Sequence, residues 1–233
     1  MKILSIEASA VAASAAVSED GRLIAEEFTQ NALTHSVTLL PAVSSVIKKA
    51  DLTLNDIDLI AVTNGPGSFS GLRIGVTTAK TLAYAAKKKV IGICTLKALA
   101  ARLPMTEGLI CPIMDARRDQ VYNAVYKWEN GSLAEIRAPR ALSAAELCED
   151  IMQNLGRVIF IGDGVPRFKE YFERELGENA FFAPLMLCAS SASAVALAAS
   201  LSPDEAVNPE ELNPVYLRLS QAEREYLEKH GKE

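Results

Sequence analysis

The order of apolar and polar residues along the first 94 positions predicts a compact alternation of strands and helices. Runs of apolar residues bounded by turn residues predict five strands, at residues 3–8, 13–18, 23–28, 59–62 and 90–94. The Asp20-Gly21 pair is typical of a tight hairpin turn between the second and third strands. Apolar positions spaced by three and four predict two helices, at residues 34–50 and 71–86.

The second half of the chain repeats this order without obvious sequence identity. The pattern predicts strands at residues 109–114, 121–128, 133–137 and 158–161, and helices at residues 143–155, 166–176, 190–201 and 221–230. Ser143 and Glu146 have the spacing of a capping box, which marks the start of a helix. The order strand-strand-strand-helix-strand-helix therefore occurs twice, at residues 2–94 and 109–201.

A duplicated unit of this kind is the plan of the α/β ribonuclease-H-like, actin-like (ASKHA) fold, in which two lobes each hold a mixed sheet flanked by helices. We predict an N-terminal actin-like lobe at residues 1–105 and a smaller C-terminal lobe at residues 106–233. The C-terminal tail is expected to lie near the N-terminal helices.

Net charge argues against a chain that binds nucleic acid on its own. The 233 residues carry a net charge of −5, whereas phosphate binding favours clustered Lys and Arg. We interpret the densest basic run, Lys87-Lys88-Lys89, as the solvated end of a helix. The four cysteines form no CxxC pair, and no apolar run is long enough to span a bilayer. These features predict a cytoplasmic protein without disulfides, zinc or a membrane anchor.

Residues with catalytic or metal-binding chemistry are sparse. ATP-using proteins of this architecture hold phosphates between two turns that are rich in Gly or small hydroxyl residues, with an Asp for the metal. Here the first turn has Glu7 in place of Asp and no Gly, and Arg117 and Arg118 crowd the second. The histidines, His35 and His230, have no second ligand at metal-binding spacing. We predict no catalytic, cofactor or metal residue; a phosphotransferase and a metallopeptidase remain the alternatives.

Two glycine-rich segments allow two interpretations each. Gly162-Asp163-Gly164 follows a strand and either binds an anion or simply turns the chain, and we favour a turn. Residues 65–71 either cradle a phosphate, with Arg73 as the nearest cation, or form a rigid entry into a helix that lies close to its neighbour. The second interpretation is preferred because no Lys stands at the spacing that clamps phosphate oxygens.

The strongest functional signal is a surface. No Asp, Glu, Lys or Arg occurs from Thr29 to Ile47, and small residues recur every four positions in the second predicted helix. Charge depletion over apolar helices is typical of an interface core, although burial of both helices within their own lobe is the alternative. Replacing Gly75 or Ala79 with Arg is then expected to abolish pairing while the fold survives. The predicted partner interface comprises His35, Leu39, Leu40, Val43, Ile47, Gly71, Leu72, Gly75, Val76, Ala79, Leu82 and Ala83.

One segment carries a family resemblance. Residues 65–75, GPGSFSGLRIG, resemble the GPGSFTGLRIG signature of the TsaB (YeaZ) family. The motif residues that we single out are Gly65, Pro66, Gly67, Ser68, Phe69 and Arg73. Further agreement lies in His35-Ser36 with Leu39-Leu40-Pro41, in Asp115-Ala116-Arg117-Arg118 with Val121-Tyr122, and in Pro214-Val215-Tyr216-Leu217-Arg218. The chain departs from the family at residues 7–9, where Glu-Ala-Ser replaces the usual Asp-Thr-Ser.

The resemblance implies an actin-like fold with a reduced second lobe and no enzymatic activity of its own. It also implies a heterodimer with TsaD, the related subunit that holds metal and transfers a threonylcarbamoyl group to the adenosine beside the tRNA anticodon. An ATPase, TsaE, joins that pair, and tRNA is reached only through the complex. Relatives use the two N-terminal helices to pair with TsaD and to form homodimers, so the same helices are expected to do both here.

Overall fold

Two mixed β-sheets with the same strand order form the centre of the protein, as the repeated pattern predicts. A computed structural model describes residues 1–30, 34–104 and 106–218. The first sheet contains β1 (Lys2–Glu7), β2 (Ala13–Glu19), β3 (Arg22–Thr29), β4 (Leu59–Gly65) and β5 (Lys89–Cys94) in the order β3-β2-β1-β4-β5. The second contains β6 (Leu109–Asp115), β7 (Gln120–Glu129), β8 (Ser132–Ser143), β9 (Val158–Ile161) and β10 (Ala180–Phe182) in the order β8-β7-β6-β9-β10.

Each sheet joins an antiparallel meander to a parallel pair. β1–β2–β3 and β6–β7–β8 are antiparallel, and β1–β4–β5 and β6–β9–β10 are parallel. The helices are α1 (His35–Lys49), α2 (Phe69–Ala86), α3 (Thr95–Ala101), α4 (Ala144–Asp150), α5 (Val165–Leu176) and α6 (Ala192–Ser200). Short α3 and the three-residue β10 were not predicted, because both are too brief to show a periodicity.

Local signals explain several helix starts. Ser143 and Glu146 form the predicted capping box at the start of α4. The hydroxyl of Ser68 accepts a hydrogen bond from the backbone N–H of Gly71 and caps α2. The helix predicted at residues 221–230 lies outside the described residues. Among the helices that the structure describes, none combines the length and apolar character needed to cross a bilayer.

The two halves of the chain exchange helices, because α6 of the second half contacts the first sheet and α3 of the first half contacts the second sheet. α1 and α2 pack on one face of the first sheet, and α6, from the C-terminal half, packs on the other. Alternation along β1 shows both faces, because Leu4 and Ile6 join the cluster that contains α1 and α2, whereas Ile3 joins the cluster that contains α6. The sequence prediction had grouped α6 with the second lobe. α6 is apolar on nearly all sides, which is typical of a helix enclosed by several elements.

Residues 207–216 also return to the first sheet. Val207 pairs with Val90 at the edge of β5, and Leu212 is 5% exposed within the cluster beneath α1 and α2. Lys80 of α2 donates a hydrogen bond to the backbone carbonyl of Leu212 (2.8 Å). The first lobe is therefore completed by two segments that the sequence prediction assigned to residues 106–233.

Candidate functional site

Most residues of the predicted partner interface lie in the core of the first lobe. Ala79 and Ala83 are fully buried, and Leu39 is 1% exposed. The predicted placement of these side chains on a docking surface is wrong, because they form the sides of α1 and α2 that pack on the sheet. The eight buried members are Leu39, Val43, Gly71, Leu72, Gly75, Val76, Ala79 and Ala83.

The small residues of α2 serve close packing within the chain. A Cβ atom at Gly71 would lie 2.1 Å from the carbonyl oxygen of Ala8, and one at Gly75 would lie 3.2 Å from the Ala8 Cβ atom. A Cβ atom at Gly67 would meet the carbonyl oxygen of Ser9 at 2.3 Å. These contacts agree with the interpretation of residues 65–71 as a rigid entry into a closely packed helix, and they replace the shallow groove for a partner that the spacing suggested.

The opposite side of the same helices is exposed, and along α1 it is uncharged until Lys48 and Lys49 in the last turn. Val37 is 64% exposed and Leu40 is 57% exposed, one turn apart, and Ser44 continues the same stripe. On α2 the exposed positions include Thr77, Thr81 and Tyr84, the last 72% exposed. We call these residues, together with the exposed Pro41, the outer face. Of the predicted interface residues, Leu40 lies on this face, and His35, Ile47 and Leu82 are half-buried beside it.

Two motifs that are far apart in the sequence form one contact. The ring of Phe69 stacks on the ring of Tyr216 with centroids 3.9 Å apart, and the Arg73 guanidinium donates a hydrogen bond to the Tyr216 hydroxyl (3.2 Å). A Cβ atom at Gly65 would overlap the carbonyl oxygen of Val215 at 2.1 Å, so only Gly fits there. The signature segment therefore binds the C-terminal segment, a contact that local sequence patterns could not reveal.

Glu7 is sealed between the two halves of the chain. Its side chain is completely buried, where one carboxylate oxygen accepts hydrogen bonds from the backbone N–H and hydroxyl of Ser9 and the other accepts from the hydroxyl of Ser190 (2.6 Å). Loss of water raises the pKa of Glu7, and the hydrogen bonds from Ser190 and Ser9 oppose that rise. Glu7 therefore holds residue 190 next to β1 instead of facing a ligand.

Further carboxylates lie in the second lobe, at the ends of its parallel strands. The surrounding protein displaces water from Asp163 and, with Asp115 and Glu7 nearby, raises its pKa to about 6, although the residue stays partly open to solvent. Asp115 pairs with Arg167 (2.8 Å). Within residues 1–30, 34–104 and 106–218, no three His, Cys, Asp or Glu side chains are grouped as metal ligands. Gly162 has a φ of +118° and lies against Ile113, as the interpretation of this segment as a turn requires.

The β6–β7 turn is strained and firmly held. Arg117, Arg118 and Asp119 have φ values of 61°, 53° and 56°, a left-handed conformation that costs side-chain-bearing residues about 1–3 kcal/mol each. The Asp115 carboxylate accepts a hydrogen bond from the backbone N–H of Arg117 (2.7 Å), and Arg167 bridges Asp115 and Asp119. The contacts fix the turn with both arginine side chains exposed.

The repeated sheets and exchanged helices define a duplicated actin-like α/β protein of the ASKHA class. The family model described as TsaD, tRNA N6-adenosine threonylcarbamoyltransferase, matches residues 24–231. The tRNA threonylcarbamoyladenosine biosynthesis protein TsaB of Bacillus subtilis is 35% identical over 98% of this chain and 99% of that protein, and its Escherichia coli counterpart is 32% identical over 70% and 72%. The chain belongs to the TsaB family, within the wider group that the TsaD family model covers.

Comparison of structures supports the fold. The structure of YeaZ from Pseudomonas aeruginosa superposes with a TM-score of 0.76 at 24% identity, and the match covers 93% of this chain and 99% of that one. The expected family and the expected actin-like fold are thus both confirmed.

Proposed function

We propose that this chain is a non-catalytic subunit of the machinery that forms threonylcarbamoyladenosine in tRNA, and that it pairs with TsaD through the outer face of α1 and α2. Membership of the TsaB family supports the pathway. Because tRNA is the substrate of that machinery, we place the protein in the cytoplasm. TsaE is proposed to join the pair as its ATPase.

The observation that carries the pairing proposal is the outer face itself. Val37 and Leu40 are more than half exposed and stand next to each other on α1, with no charged residue between positions 29 and 47. Tyr84 extends the face along α2. Exposed apolar and aromatic residues without charge are the composition of an interface core, where a few such anchors supply most of the binding energy.

The sealed position of Glu7 supports a non-catalytic role. In the ATP-using proteins of this architecture, the residue at this turn must reach a metal or phosphate, but both oxygens of Glu7 are engaged by Ser9 and Ser190. On the second turn, Arg167 occupies the carboxylates of Asp115 and Asp119. These contacts weigh against the phosphotransferase alternative. The metallopeptidase alternative requires a cluster of metal ligands, and the described residues contain no group of three His, Cys, Asp or Glu side chains that could form one.

A substitution on the outer face tests the pairing proposal. Leu40→Arg is expected to weaken binding to TsaD by about 30-fold or more, because truncating or charging an interface anchor costs about 2 kcal/mol or more. The matched control is Leu185→Arg, at a side chain 65% exposed between β10 and α6, which makes the same chemical change on a segment of the second half of the chain. Binding would be measured by titration calorimetry with purified TsaD.

Circular dichroism of both variants would show that they fold. Equal affinities for Leu40→Arg and the unaltered chain would show that TsaD does not use the outer face. Analytical ultracentrifugation of the free chain would show whether the same substitution also disrupts a homodimer. A second copy of the chain and TsaD would compete for this face.

A further inference from the structure

Four exposed arginines, the half-buried Arg218 and an exposed tyrosine lie near the β6–β7 turn and are linked by contacts. Arg218 donates a hydrogen bond to the backbone carbonyl of Ala116 (2.6 Å), which places the C-terminal segment against the turn. Tyr216, two residues earlier, accepts from Arg73, and Arg167 pairs with the other end of the turn. We call Arg73, Arg117, Arg118, Arg167, Arg218 and Tyr216 the arginine surface.

The arginine surface has the opposite charge to the rest of the protein. Its five arginines are accompanied by the carboxylates of Asp115, Asp119 and Asp163, so the region has a net charge of about +2 in a chain whose net charge is −5. The prediction that the chain does not bind nucleic acid on its own used only the net charge of the whole chain. That net charge does not show that positive charge is concentrated in one region. Local charge determines where a polyanion binds.

Within residues 1–30, 34–104 and 106–218, the guanidinium groups of Arg117 and Arg118 have no side-chain hydrogen bond, whereas those of Arg73, Arg167 and Arg218 each have at least one. Arg167 is engaged by two carboxylates and Arg218 by a carbonyl, whereas the guanidinium groups of Arg117 and Arg118 form no ion pair within the part of the chain that the structure describes. The turn holds both residues in a left-handed conformation, through Asp115, Arg167 and Arg218. Two exposed arginines on a fixed backbone suit the phosphates of a nucleic acid chain.

An aromatic platform lies in the same region. Tyr216 is 37% exposed and stacks on Phe69, and the Arg73 guanidinium lies 5.1 Å from the centre of the Phe69 ring. Arginines interspersed with an exposed aromatic ring are typical of surfaces that bind unpaired nucleotides, where rings stack on bases and cations contact phosphates. An acidic protein partner would satisfy the arginines but would leave the ring without this role.

We infer that the arginine surface binds the phosphodiester backbone of RNA, with Arg117 and Arg118 contacting phosphates. The inference rests on the proposed function only in taking tRNA as the RNA concerned. The family resemblance implies that tRNA is reached only through the complex with TsaD. The inference adds a direct contact between this chain and RNA.

The test compares two double variants of the full chain. Arg117→Asn with Arg118→Asn removes two cations and keeps residues that tolerate the left-handed conformation. The matched control, Lys87→Asn with Lys89→Asn, removes two exposed cations from another surface, and Lys87 also has a left-handed φ of 55°. Binding to an unmodified tRNA transcript with adenosine beside its anticodon would be measured by fluorescence anisotropy between 50 and 200 mM salt.

The arginine variant is expected to bind about tenfold more weakly than the unaltered chain, with a dependence of log affinity on log salt that is shallower by about 1.5, because two phosphate contacts are lost. The lysine variant is expected to bind like the unaltered chain. Equal weakening of both variants, or no binding by the unaltered chain at 50 mM salt, would overturn the inference.

TsaD binding by the same variants separates this inference from the proposed function. Retained TsaD affinity in the arginine variant, together with lost RNA affinity, is the expected result. Lost TsaD affinity with unchanged RNA affinity would instead assign the surface to an acidic protein partner and overturn the inference. Leu40→Arg reports on the proposed function alone, because it lies on α1.

Discussion

Ala79→Arg is expected to unfold the N-terminal lobe rather than to detach a partner. Ala79 is completely buried in α2, within the cluster that contains Leu4, Ile6 and Val43. An arginine there would overpack the core and bury a charge without a partner, at a cost of about 5 kcal/mol or more. That cost is comparable to the whole stability of a typical domain, so urea denaturation should show little or no folded protein.

Ala85→Arg is the matched control, because Ala85 is an exposed position on the same helix. It should change the free energy of unfolding by no more than about 0.5 kcal/mol. A folded Ala79→Arg protein with unchanged stability would mean that α2 does not pack on the sheet through this side. The experiment also revises the expectation drawn from the sequence, in which Arg at position 79 or 75 left the fold intact.

Glu7→Ala is expected to destabilise the protein by about 3 kcal/mol or more. The substitution leaves the backbone N–H and hydroxyl of Ser9 and the hydroxyl of Ser190 without their acceptor in a buried site, and each unsatisfied group costs about 1–3 kcal/mol. Glu7→Gln is the control, because its amide oxygen can accept from Ser9 while its amide nitrogen donates to Ser190. The free energy of unfolding of Glu7→Gln, measured by urea denaturation at pH 7, should be at least as large as that of the unaltered chain. Equal stability of Glu7→Ala would show that the contacts of Glu7 contribute nothing.

The pH dependence of stability gives a second measure of the same site. The pKa of Glu7 is raised by folding from an ordinary value of 4.5, so between 4.5 and the raised value the folded state binds more protons than the unfolded state. Stability from this group is therefore greatest below pH 4.5 and is lost as the pH rises. The difference in free energy of unfolding between Glu7→Gln and the unaltered chain should grow over that range. A difference that stays constant from pH 4.5 to pH 8 would contradict a raised pKa.

Local sequence signals predicted most elements of the fold. The Asp20-Gly21 pair marked the turn between β2 and β3, where both residues have positive φ. Ser143 and Glu146 marked the start of α4. These signals are local, since a turn conformation or a cap depends on residues within four positions of each other. The doubled order of strands and helices then identified the actin-like class.

The features that could not be predicted from the sequence, such as the neighbour of α2 and the partner of Glu7, depend on contacts between distant residues. Small residues at Gly71, Gly75 and Ala79 indicate close packing but do not tell whether the neighbour is the same chain or another one. Here the neighbour of Gly71 and Gly75 is Ala8 of the same chain. Glu7 and Ser190 are 183 positions apart, so no spacing rule connects them.

The β6–β7 turn illustrates a third limit. Arg117 and Arg118 adopt a backbone conformation that sequence patterns associate with Gly or Asn, so neither residue signals a turn. The conformation is imposed by Arg167 and Arg218, which lie far along the chain. From the sequence, Arg117 and Arg118 were expected only to crowd a phosphate-binding turn. The structure shows both cations exposed to solvent.

The position of α6 has a consequence for how the protein is made. While a ribosome has produced only the first hundred residues, one side of the first sheet lacks the helix that covers it, because that helix is encoded at Ala192–Ser200. The N-terminal half therefore cannot finish folding when it leaves the exit tunnel. It must stay incomplete, with apolar side chains such as Ile3 uncovered, until residues 192–200 have been synthesised as well.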